Sequence, residues 1–121
     1  FSGAQPRVLA HLAMPFAPAL KQELLALNTP SDNELHRAAL AANGLVRVYA
    51  QTVQALLEAT QTKAHEVCAI GAHGQTVRHR PGAVDGLGYT WQIDNPALLA
   101  ELTGIDVVAD FRRRAQAAGM A

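Results

Sequence analysis

Cysteine is nearly missing from this chain. Cys68 is the single thiol, so an internal disulfide and an all-cysteine metal site are both excluded. Such usage fits a reducing compartment. Aromatic residues are also scarce, at 5%, which leaves packing to leucine, valine and alanine. No charge of either sign is in excess: ten Lys and Arg balance ten Asp and Glu. A formal charge of zero removes any general attraction to nucleic acid or to an anionic membrane, so neither is expected as a partner. No apolar run approaches the roughly 20 residues of a membrane span, and no signal peptide is visible. Nor is there a Walker-type Gly-x-x-x-x-Gly-Lys, a protein-kinase glycine-rich loop or a Gly-x-Ser-x-Gly elbow. The chain opens on Phe1 and not on methionine, so a start further upstream is expected.

What is present suits one modest α/β domain. The 121 residues are 50% hydrophobic and 17% charged, a balance typical of globular proteins. Arg7 to Met14 alternates loosely and predicts a strand ended by Pro15. Pro18 suits the first turn of a helix, with Leu20, Leu24 and Leu27 as its apolar stripe. Asn28-Thr29-Pro30 breaks that helix. Ser31-Asp32-Asn33-Glu34 reads as a capping box opening a long helix. Its stripe runs through Leu35, Ala38, Ala42, Leu45, Tyr49, Val53, Leu56 and Leu57. Gly44 lies within it and implies close packing, because a helical glycine costs about 1 kcal/mol against alanine.

Val67 to Gly71 is wholly apolar and predicts a central strand buried on both faces, which makes Cys68 a small core residue. Arg78 to Gly88, with Pro81, Gly82 and Gly86, reads as a loop. Tyr89 to Ile93 predicts a strand. Asn95 and Pro96 open a further helix that presents Leu98, Leu99 and Leu102 inward and ends at Gly104. Ile105 to Ala109 is a last short strand. Helices thus alternate with short apolar strands, and the expected class is α/β with a mixed sheet.

Ligands of open α/β sheets gather at the carboxyl ends of strands. Three polar groups fall there: His73-Gly74-Gln75-Thr76, Gln92 with Asn95, and Asp110-Phe111-Arg112. Together they offer hydroxyl, amide, imidazole, carboxylate and guanidinium, a set suited to a polyhydroxylated acidic sugar. Gly74 would let backbone approach a ligand closely. The plainer alternative is that these residues satisfy the strand ends. His73 and His79 lack a third ligand, so zinc is not expected. The basic runs Arg78-His79-Arg80 and Arg112-Arg113-Arg114 read as solvated or substrate-facing surface.

The stretch Ala69-Ile70-Gly71-Ala72-His73-Gly74-Gln75-Thr76-Val77-Arg78-His79 resembles a signature of the 1,6-anhydro-N-acetylmuramic acid kinases. So does the run from Gln92-Ile93-Asp94-Asn95-Pro96 through Gly104-Ile105-Asp106-Val107-Val108-Ala109-Asp110-Phe111-Arg112. The resemblance implies an actin/hexokinase-type fold built on ribonuclease-H-like sheets. It implies an ATP- and magnesium-dependent enzyme of the bacterial cytoplasm that opens the anhydro bond and phosphorylates the sugar in peptidoglycan recycling. His73, Gly74, Gln75 and Thr76 would then bind the amino sugar, with Thr76 foremost, and Gln92, Asn95, Asp110 and Arg112 would line the same cleft.

The chain departs from the family pattern in several places. The family's opening Gly-Thr-Ser-Leu-Asp-Gly phosphate loop and its later Gly-Phe-Asp-x-Gly-Pro-Gly-Asn motif, which carries the catalytic base, are not in this sequence. Asp94 stands where glycine is usual, Ala115 stands for an aspartate, and the glycine-rich continuation is lost after Ala118. Residues 1–121 are therefore expected to be a single partial domain, the sugar side of the N-terminal kinase domain. It would hold no catalytic residue or metal, bind no cofactor alone, and be prone to self-association through an incomplete sheet edge. The alternative is a non-catalytic sugar-binding module, or a pseudo-enzyme that folds with another chain.

Overall fold

The computed structural model describes residues 5–82 and 85–111. Helix α1 spans Pro18–Ala26 and α2 spans Glu34–Thr60. A short 3-10 turn at Ala64–Glu66 leads to strand β1, Ile70–Gly71. Strands β2 (Gln75–Pro81) and β3 (Gly88–Ile93) follow, then α3 (Pro96–Thr103) and β4 (Val107–Val108). The class is mixed α/β, but the strands form two separate pairs. β1 lies parallel to β4, and β2 runs antiparallel to β3.

Helix α1 begins on Pro18 and buries Leu24, with Leu27 buried just past its end. Both pack against Ala38, Ala41, Ala42 and Leu45 of α2 and against Val77 and Ile93 of the hairpin. Leu20 comes within 3.4 Å of where a Cβ on Gly44 would stand, so that glycine lets the two helices close. A second, smaller cluster joins Val46, Ala72 and Leu99, with Ile70, Leu98 and Val107 partly buried around it.

Several expectations are corrected. Arg7 to Met14 forms no strand: no other strand pairs with it among the described residues, and alternation without a ladder partner does not make a strand. Val8 and Leu9 are 83% and 74% exposed. The capping box is only half made. Glu34 accepts the Ser31 N–H at 3.3 Å, but the Ser31 hydroxyl accepts from Arg37 at 2.7 Å and the helix starts from Asn33. Leu35 and Leu102, expected to face inward, are 77% and 50% exposed. The central strand shrinks to Ile70 and Gly71, and Cys68 is exposed, since the outer side of β1 carries no cover.

The segment from Arg78 to Pro81 is strand and not loop. It pairs residue by residue with Gly88 to Trp91. Arg78 is drawn inward by donating to the Leu27 carbonyl at 3.1 Å and to Glu34 at 2.9 Å. It ties the hairpin to the junction of α1 and α2.

Candidate functional site

Three strand ends converge on α2. The chain leaves β1 through Ala72 and His73, leaves β3 through Asp94, and leaves β4 through Ala109 to Phe111. Where these ends face α2, the small side chains Ala38, Ala39 and Ala42 leave room, and a cavity of about 290 Å3 opens. His73, Gln92, Asp94 and Asp110 supply its polar groups, while Trp91, Pro96 and Phe111 contribute apolar wall.

Gln92 is held from behind. Its Nε2 donates to the Thr76 hydroxyl at 2.9 Å and to the Thr90 hydroxyl at 2.7 Å. A primary amide has two N–H donors, so both are used and its carbonyl oxygen remains for a ligand. Thr90 is 4% exposed and is the one polar residue in the core among the described residues.

Asp94 is a partly buried acid on the cavity wall. Burial raises its carboxyl above the ordinary value, and the nearby Asp110 charge adds to the rise. A hydrogen bond from the Asn95 N–H, at 2.8 Å to Oδ1, and the proximity of His73 oppose it. Its Oδ2 is buried without a partner, which is the desolvation that favours the neutral acid. Tyr49, partly buried against the core, has its phenol pushed up to about 12, by burial first and by the Asp94 charge second.

The residues expected at the site divide. His73, Gln92 and Asp110 meet in the cavity. Thr76 reaches it only through Gln92 and opens onto a different groove beside Asn28 and Arg80. Gln75 faces away, toward Met14, Phe16 and Leu24. Asn95 is used within the fold: its Oδ1 accepts the Leu98 N–H at 3.1 Å, capping α3, and its Nδ2 donates to Asn43 at 2.9 Å. Gly74 sits at φ 76°, and a Cβ there would stand 2.6 Å from the Ile93 carbonyl. Its freedom serves the crossing of two backbone segments, not a ligand. Arg112 lies outside the described residues, as do Ala115 and Ala118. Sequence reasoning gave no role to Asp94, Trp91 or Thr90. The position of Asp94 one residue past a strand was a signal that could have found it.

A magnesium–nucleotide site does not fit these residues. Among the described residues no group of three or more His, Cys, Asp or Glu side chains is placed to share a metal ion. The helix starts do not suit phosphate either, since free N–H groups at a helix N-terminus are what bind it. α1 and α3 open on proline, Asn95 occupies the Leu98 N–H, and α2 opens on Glu34. No phosphoryl-transfer step runs through this set.

Fold and site together describe a mixed α/β unit with a small polar cavity at its strand ends. The family model described as anhydro-N-acetylmuramic acid kinase matches residues 1–121. The anhydro-N-acetylmuramic acid kinase of Albidiferax ferrireducens is 67% identical over 119 residues, covering 98% of this chain and 31% of the relative. Those of Variovorax paradoxus and Cupriavidus metallidurans are 63% and 62% identical, again over 98% of this chain and 32% and 31% of the relatives. The chain belongs to the anhydro-N-acetylmuramic acid kinase family, and it spans about a third of the length of these relatives.

Proposed function

We propose that this chain is the sugar-recognising part of a kinase acting on 1,6-anhydro-N-acetylmuramic acid. The whole enzyme would open the anhydro bridge with water and phosphorylate the freed 6-hydroxyl, using ATP and magnesium, in bacterial peptidoglycan recycling. The names of the relatives support the substrate and the kinase activity. The observation that carries the role of this portion is the meeting of His73, Gln92, Asp94 and Asp110 in one cavity walled by Trp91 and Phe111. A pyranose ring presents hydroxyls at its rim and apolar C–H faces. A cavity in which polar groups alternate with aromatic and alanine wall offers partners to both features.

Nucleotide handling is assigned to the two thirds of the relatives that this chain does not span. A partial ribonuclease-H-like domain of the actin/hexokinase type, in the cytoplasm, is the setting this reading implies. Calorimetric titration with 1,6-anhydro-N-acetylmuramic acid tests it. Saturable binding that Gln92→Ala weakens is the expected result. Absence of heat with folded protein at millimolar sugar would overturn the assignment of this portion to sugar recognition.

A further inference from the structure

Thr90 is a polar side chain at a place where the surrounding core is apolar. It lies on β3 two residues before Gln92, on the same side of the strand, and is almost fully buried. Directly opposite Gln92 on β2 stands Thr76. The two hydroxyls thus flank the Gln92 amide from its own strand and from its neighbour, at 2.7 and 2.9 Å. A glutamine side chain has three rotatable bonds and would otherwise sample many directions; fixing it before a ligand arrives removes an ordering cost from binding.

We propose that Thr90 is a positioning residue for ligand recognition: with Thr76 it holds the Gln92 amide so that the carbonyl Oε1 is presented to the cavity as a fixed acceptor for a sugar hydroxyl. The proposal rests on the sugar reading above. It gives Thr76 an indirect part, through Gln92, in place of direct contact. It also sets the polarity of that corner. With both N–H groups used, Gln92 accepts and does not donate, and the carboxyl groups of Asp94 and Asp110 lie beside it. The corner therefore suits the hydroxyl edge of a ligand and disfavours a carboxylate, which places the lactyl acid of a muramic sugar away from Gln92.

The test is a double-mutant cycle in the 121-residue chain, read by calorimetric titration with 1,6-anhydro-N-acetylmuramic acid. Its lactyl-free analogue 1,6-anhydro-N-acetylglucosamine serves as a second probe. Folding of each variant is checked by its amide NMR spectrum. Thr90→Val should weaken binding about three- to ten-fold, the range for one neutral hydrogen bond. Thr90→Ser keeps the hydroxyl and should bind as the parent does. In a Gln92→Ala background, Thr90→Val should have no further effect, which a merely structural role would not produce. The analogue should show the same pattern. Equal losses in the valine and serine variants, or a full further loss in the Gln92→Ala background, would overturn the positioning role while leaving sugar binding intact. A Thr90 effect confined to the probe with the lactyl acid would overturn the assigned polarity. No binding of either probe by the folded parent would instead overturn the sugar reading, and this proposal with it.

Discussion

The two halves of this small fold close to different degrees. α1, the first half of α2 and the β2–β3 hairpin form a finished unit. Their strands are long, their core contains Leu24, Leu27, Leu45, Val77 and Ile93, and Arg78 ties strand to helices. The β1–β4 pair with α3 is thin. Each strand has two residues, its cluster is Val46, Ala72 and Leu99, and Val108 and Phe111 stand exposed. The finished half joins its helices to a hairpin far along the chain, with Arg78 reaching Leu27 and Glu34, and closes because both faces of that contact are covered. β1 and β4 meet across 37 residues of register, Ile70 to Val107, and only the side of that pair facing the helices is covered. The cavity lies on the seam. α2 and β3 supply one wall, and the ends of β1 and β4 supply the other.

This contrast can be broken by substitution. Leu45→Ala, at a site 0% exposed in the larger cluster, should cost about 3 kcal/mol in urea unfolding. A loss under 1 kcal/mol would mean that the first half is not the stabilising core. Gly74→Ala acts where the chain enters β2 beside the end of β3. The left-handed backbone and the 2.6 Å approach to the Ile93 carbonyl should together cost about 2 kcal/mol, with the largest amide shifts at Ile93 and Asp94.

Asp94→Asn probes the seam through pH. The carboxyl of Asp94 is raised in the fold, so the unfolded chain ionises first. The stability linked to this group is whole below the ordinary value of 3.8 and is lost as pH rises through the raised folded value. The asparagine variant should therefore match the parent in acid, gain on it as pH rises through that window, and keep the gain above it. Urea midpoints across pH would show this, and parallel curves would contradict the burial argument. The smallest effect is expected at Val108→Ala on the uncovered side, within about 0.5 kcal/mol of the parent.

The long helix, the Asn95 cap, the Gly104 stop and the strand to Ile93 were all legible, because each rests on a local rule. Periodicity names a helix, an Asx residue before Pro96 names its start, and a left-handed glycine names its end. What sequence could not supply was partnership. Arg7 to Met14 has the pattern of a strand and no strand paired with it among the described residues, whereas Arg78-His79-Arg80-Pro81 lacks the pattern and pairs fully with Gly88 to Trp91. The same limit governs the site. The rule that ligands gather at strand ends singled out His73, Gln92 and Asp110, which line one cavity. It could not tell that Asn95 is consumed by α3 and Asn43, or that Thr76 touches Gln92 instead of the cavity. Asp94 and Thr90 were missed because what marks them is burial, of the Asp94 Oδ2 and of the Thr90 side chain, which emerges only when the elements pack.

The most direct measurement is an amide and side-chain NMR titration of the chain with 1,6-anhydro-N-acetylmuramic acid. A sugar site on the seam predicts saturable shifts on both walls, at Gln92 and Asp94 on one and at His73 and Asp110 on the other, with little change at His79 and Arg80. Shifts confined to β2 around His79 and Arg80, or none at millimolar sugar with the fold intact, would contradict it.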